Sequence, residues 1–143
     1  MMCEWGKQHR VEYKFNYCRL ENTKILVVSP DAAALCNNLE QLHAIAIATT
    51  IDDIINTINR VKPDAMLIDL TFLNHDETDV LTARIEQIEL NNRKSIAMIA
   101  IVAANNSGER GRAFKMGFAV HIPKPVETIE MVSTLASLIN KLP

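Results

Sequence analysis

The sequence predicts a doubly wound α/β domain, with five strands in one parallel sheet of order 2-1-3-4-5 and helices on both faces. Three observations predict it. Short continuous apolar runs occur at Ile25 to Val28, Ala65 to Ile68 and Ala97 to Val102. Runs this short read as strands buried on both faces, the habit of a parallel sheet. Segments of helical period lie between them. Strand and helix alternate five times, and right-handed crossovers then leave few topologies.

A chain of 143 residues suits one domain with a core of its own. The 48% apolar content and net charge of −2 exclude disorder and give no electrostatic reason to expect nucleic acid. No apolar run approaches a membrane span, and Met1-Met2-Cys3-Glu4-Trp5 lacks the apolar core of a signal peptide. The cysteines Cys3, Cys18 and Cys36 are odd in number and lack metal-ligand spacing. A reducing cytoplasm is the expected location.

Residues 1–22 form an N-terminal extension, and residues 23–143 form the domain. The extension holds the one Trp and both Tyr. Val11, Tyr13, Phe15 and Tyr17 alternate with polar residues at the period of a half-buried strand. The segment is either a passive leader or an extra strand clasping the domain or a second copy.

The first strand is Lys24 to Val28. Ser29-Pro30-Asp31 then reads as a helix start, with Ser29 at the N-cap and Pro30 at the first helical position. Leu35, Leu39 and Leu42 give that helix its apolar stripe. Ala44 to Ala48 is the second strand. Ile51, Ile54, Ile55 and Ile58 define the second helix, which stops near Pro63. The third strand, Ala65 to Ile68, ends at Asp69. A polar loop is expected from Thr71 to Thr78, then a helix from about Asp79 to Leu90. Ala97 to Val102 is the fourth strand. The fourth helix starts near Ser107 and ends at Gly117, a left-handed C-cap. Ala119 to Ile122 is the fifth strand, at an edge because Pro123 follows. The last helix runs from about Thr128 to Lys141. Asp69 falls at the carboxyl end of a central strand, where open α/β sheets place their working crevice.

The strand Lys24-Ile25-Leu26-Val27-Val28, the segment from Pro63-Asp64 to Asp69-Leu70, and Lys124-Pro125 after the fifth strand together resemble the receiver domain of bacterial response regulators. The resemblance covers roughly residues 23–142 and implies a flavodoxin-like fold. It implies that Asp69 holds the phosphoacceptor position and Lys124 the lysine of the crevice. It also implies a cis Lys124-Pro125 bond. A receiver further needs an acidic pair after the first strand and a hydroxyl after the fourth. Here Ser29-Pro30 and Ala103 stand in those places, and His121 takes the switch position. Mg²⁺ demands a strict oxygen shell. With Asp31 one residue late, few ligands besides Asp69 remain. The resemblance is therefore to a degenerate, or pseudo-, receiver with no cofactor.

Simpler readings stand beside this one. Asp69 is the polar end of a buried strand, paired with Lys124. His121 is an ordinary strand residue rather than a proton switch.

The leading functional expectation is a non-enzymatic signalling module acting by protein contact. Its partner would be a histidine kinase, another signalling protein or a second copy of the chain. The partner face of such domains would present Arg110, Arg112, Lys115 and His121, and no DNA-binding segment is expected to follow. The alternative is a receiver phosphorylated on Asp69 by a histidine kinase, with Mg²⁺. A third reading, a small-molecule binder, is disfavoured. Gly6, Gly108, Gly111 and Gly117 all lie outside the loop after the first strand, where a phosphate-binding loop needs glycine.

Overall fold

A computed structural model describes residues 20–104 and 107–139. The strand reading for Val11 to Tyr17 lies outside the described residues, as do Asn105, Asn106 and Lys141. The five strands β1 (Lys24–Val28), β2 (Ile45–Ala48), β3 (Ala65–Asp69), β4 (Ala97–Val102) and β5 (Val120–Pro123) form one sheet. Its order is β2-β1-β3-β4-β5 and every pairing is parallel, as the alternation predicts. All five residues of β3 are buried, which explains its unbroken apolar sequence.

The helices are α1 (Ala32–Glu40), α2 (Ile54–Val61), α3 (His75–Asn92), α4 (Ser107–Lys115) and α5 (Thr128–Ile139). Successive side chains of the central strands point to opposite faces, and two apolar clusters result. Leu26, Val28, Met66, Ile68, Met98 and Ala100 pack on one face with Ile54, Ile58, Leu81 and Ile85. Ile25, Val27, Leu67, Ile99 and Ile101 pack on the other with Leu35, Leu39, Val132 and Leu135. Full burial of each large aliphatic side chain contributes about 1.5–3 kcal/mol.

Three helix starts differ from the sequence reading. α1 begins at Ala32, because the Ser29 hydroxyl accepts the Asp31 N–H at 3.0 Å and the Ser29 carbonyl accepts that of Ala32 at 3.1 Å. Residues 29–31 thus form a turn, and Asp31 rather than Ser29 is the N-cap. α2 begins at Ile54, since the Asp53 N–H bonds Thr50 in a preceding turn. Ile51 still packs on the core from that turn. α3 starts at His75, well before Asp79, because Asn74 and Glu77 form a capping box. The Asn74 side chain accepts the Glu77 N–H at 2.7 Å and Glu77 accepts the Asn74 N–H at 3.0 Å. Half of the supposed loop, residues 75–78, is helix, preceded by one 3₁₀ turn at Leu70–Phe72.

Other boundaries follow the sequence. Lys62 closes α2 in the left-handed region at φ 55°, ahead of Pro63. Gly117, at φ 87°, follows α4 where a residue without Cβ is favoured. Lys124-Pro125 is cis. No helix among the described residues is long and apolar enough to cross a membrane.

Candidate functional site

Asp69 ends β3, in register with Ile101 of β4, and its side chain is wholly inaccessible. A carboxylate withdrawn from water must have its oxygens occupied. The backbone turns sharply here into the 3₁₀ turn, and this brings Thr71 back over the strand end. Asp69 Oδ1 accepts the Thr71 N–H at 2.9 Å and also the Thr71 hydroxyl. Oδ2 lies 2.8 Å from Lys124 Nζ and 3.5 Å from Ser29 Oγ.

Lys124 arrives from the far end of the chain. Its N–H donates to the Val102 carbonyl at 2.9 Å, which ties the end of β5 to β4. Its Nζ donates to Thr71 Oγ1 at 2.9 Å as well as pairing with Asp69. The Thr71 hydroxyl therefore accepts from Lys124 and donates to Asp69. Three side chains close a ring at the carboxyl ends of β3 and β5.

Asp69 and Lys124 of the ring line a cleft of about 490 Å³. Ser29, Asp31 and Asn38 line the polar side, and Leu35, Ile101 and Val126 the apolar side. The structure thus gathers Asp69, Lys124, Ser29 and Asp31 into one place. Ala103 follows β4 directly and is half-buried, outside the cleft lining. His121 is exposed on β5, opposite Ala100. Lys115 is exposed on α4. Arg110 folds back to donate to the Ala104 carbonyl. Arg112 is half-buried, with Nε and one terminal nitrogen lacking an acceptor among the described residues. Thr71 is the site residue that sequence reasoning missed. A hydroxyl two positions after a strand-ending Asp was its local signal.

The donor set does not fit Mg²⁺. An octahedral oxygen shell needs free carboxylate lone pairs, and those of Asp69 already take up Thr71, Lys124 and Ser29. Asp31 is the one other carboxylate lining the cleft, and it is exposed at the foot of α1. Among the described residues, no three His, Cys, Asp or Glu side chains gather in a way that could hold a metal ion.

A putative response regulator from Chloroflexus aurantiacus superposes with a TM-score of 0.71, at 19% identity, over 85% of this chain and 100% of that one. The chain has the receiver fold. The receiver domain of HemR from Leptospira biflexa agrees, with a TM-score of 0.65 and 23% identity over 85% of this chain and 97% of that one. So does a Saccharomyces cerevisiae co-crystal of a histidine phosphotransfer protein with the receiver domain of its downstream response regulator. There the TM-score is 0.64 at 16% identity, over 85% of this chain and 88% of that one. In sequence, the chain is similar to hybrid signal transduction histidine kinase D of Dictyostelium discoideum, 29% identical over 84 residues. That match takes in 58% of this chain and spans 5% of the kinase. No family model matches. The receiver fold explains why Asp69 and Lys124 converge: both stand at the carboxyl ends of their strands, on the same rim of the sheet.

Proposed function

We propose that this domain is a receiver-like module of two-component signalling that works by protein contact, without Mg²⁺-dependent phosphorylation of Asp69 and without enzymatic activity. The observation that carries this reading is the closed ring of Asp69, Thr71 and Lys124. Phosphoryl transfer needs a carboxylate oxygen free to attack and a cation to neutralise the moving phosphoryl oxygens. Here the oxygens are held, and the loop after β1 offers Ser29 and Pro30 in place of two acids.

The partner would be a protein of the same signalling chemistry. The Dictyostelium relative is a histidine kinase, and one structural neighbour was crystallised with a histidine phosphotransfer protein. A histidine kinase, a phosphotransfer protein or a second copy of this chain are the partners to test. Lys115 and His121 are the exposed members of the expected contact face. The cytoplasm is the expected setting.

The second reading is phosphoryl acceptance on Asp69, favoured by the placement of Asp69 and Lys124 at the two strand ends. One experiment separates them. The protein is incubated with acetyl phosphate and Mg²⁺, its intact mass is read, and Asp69→Asn is treated in parallel. An unchanged mass is expected. An adduct on the wild type that is absent from the variant would establish the second reading.

A further inference from the structure

α2 and α3 pack side by side on one face of the sheet, over the cluster that holds Ile54, Ile58, Leu81 and Ile85. Each helix leads from the carboxyl end of one parallel strand back to the start of the next, so the two run in the same direction. Their N-terminal halves leave a groove of about 360 Å³ between them. Ile54 and Leu81 are its buried floor, and Ile51 and Ile55 are half-buried on the α2 side. Val80, on the α3 side, is 60% exposed. It is an apolar side chain that the fold itself leaves in water.

The spacing of the residues on α3 sets the charge along this groove. Asp76, Val80 and Arg84 stand four apart and form one row on the helix. An acid heads the row, the valine follows one turn on, and a base closes it after another. The row is about 12 Å long at 1.5 Å per residue. Asp52 stands just ahead of α2, at the same end as Asp76, and Asp52, Asp76 and Arg84 are all exposed. Glu77 also lines the groove, but its carboxylate already accepts the Asn74 N–H. The groove is thus negative at its head, apolar in the middle and positive at its foot.

That order selects a partner. An amphipathic helix laid in such a groove offers apolar residues three and four apart. Its basic end belongs against Asp52 and Asp76, and its acidic end against Arg84. Helices carry acids most favourably in the first turn and bases in the last. The bound helix therefore runs antiparallel to α2 and α3.

We propose that the groove between α2 and α3 docks an amphipathic helix of a partner protein, about two or three turns long, acidic at its start and basic at its end. Val80 and Ile55 are its apolar seat. The groove shares no lining residue with the Asp69 cleft, so the proposal stands apart from the reading of that cleft and from the acetyl phosphate experiment.

The probe is a synthetic peptide of about 15 residues, long enough to form a helix. It carries Glu in its first turn, Leu at every third or fourth position and Lys in its last turn. A second peptide has the same composition with the Glu and Lys ends exchanged. Binding of each to the full chain is read by fluorescence anisotropy at low and at physiological salt. The first peptide should bind at least about tenfold more tightly than the second, with the advantage shrinking as salt rises. Val80→Asp should weaken its binding at least about tenfold while the melting point holds. Val80→Ser takes its place if the melting point falls. Asp52→Lys, Asp76→Lys and Arg84→Glu together invert the charges of the groove and should invert the preference between the peptides. Absence of saturable binding, equal binding of the two peptides, or a preference that survives the inversion would overturn the proposal. A dimer formed without peptide and dissolved by Val80→Asp would overturn it too, in favour of a second copy of the chain.

Discussion

Lys124 Nζ lies 2.8 Å from Asp69 Oδ2, and the two differ sharply in their access to water. The carboxylate has none, whereas the lysine side chain is 35% exposed. The pair stands between a surface ion pair, worth at most about 1 kcal/mol, and a wholly buried one, where loss of one partner costs about 3–5 kcal/mol.

Lys124→Ala should therefore destabilise the domain by about 2–3 kcal/mol, because it strands a buried charge. Asp69→Asn should cost only about 1 kcal/mol, since Lys124 can swing into water and the Thr71 N–H keeps an acceptor. The double variant should lose less than the sum of the two. Urea unfolding of all four proteins checks the cycle, and additive losses would show that the two side chains do not interact.

Thr71→Val keeps the volume but removes the hydroxyl that joins Lys124 to Asp69. The expected loss is about 1–2 kcal/mol. Thr71→Ser, which restores the hydroxyl, should recover most of it in the same unfolding assay. A loss in Thr71→Ser with none in Thr71→Val would mean that the methyl group, not the hydroxyl, matters.

Ser29→Asp should create a metal response that the wild type lacks. Ser29 Oγ is 3.5 Å from Asp69 Oδ2, so a second carboxylate there could share a cation with Asp69. Without metal the variant should melt lower, from like-charge repulsion. With Mg²⁺ at tenfold over its dissociation constant it should regain about 1.4 kcal/mol. Thermal melts of both proteins across a Mg²⁺ titration decide this, and a wild-type melting point that rises with Mg²⁺ would contradict the account of the cleft.

Cys36, half-buried on α1, offers a pH-dependent readout. Burial, and then the Glu40 carboxylate, push its thiol above the ordinary thiol range. The neutral thiol is the favoured form in the fold. Its contribution is whole at neutral pH and is lost as pH rises past the ordinary thiol value toward the raised one. Alkylation at mildly alkaline pH, followed by peptide mapping, should find Cys36 slower than a free cysteine, and Glu40→Gln should quicken it. A Cys36 that reacts as fast as free cysteine would refute the assignment.

The sheet was legible in the sequence because buried parallel strands leave unbroken apolar runs, as Ala65 to Ile68 and Ala97 to Val102 do. The helix starts were less so, because capping residues look like loop residues. Asn74 and Glu77 are polar, and only their spacing of three betrays a capping box. Ser29 looked like a cap, yet its hydroxyl serves the turn and Asp69 instead. The Asp69–Lys124 pair could be read because each sits at a strand end. Thr71 escaped because one of its partners, Lys124, lies 53 residues away. The inward turn of Arg110 and Arg112 also left no mark in sequence, since helical period alone does not fix where a long side chain folds.

The two apolar clusters have a consequence for how the domain can diverge. Neighbouring residues of β1, β3 and β4 feed opposite sides, so Leu67 and Ile68 belong to different interiors although they adjoin in sequence. The sheet acts as a partition. A volume change at Ile68 is felt by the side that holds α2 and α3, and one at Leu67 by the side that holds α1 and α5. Drift on one side leaves packing on the other nearly untouched, as expected for positions without shared neighbours. The molecule can thus retune the exterior of one helical layer for a new companion while the opposite layer keeps its old one.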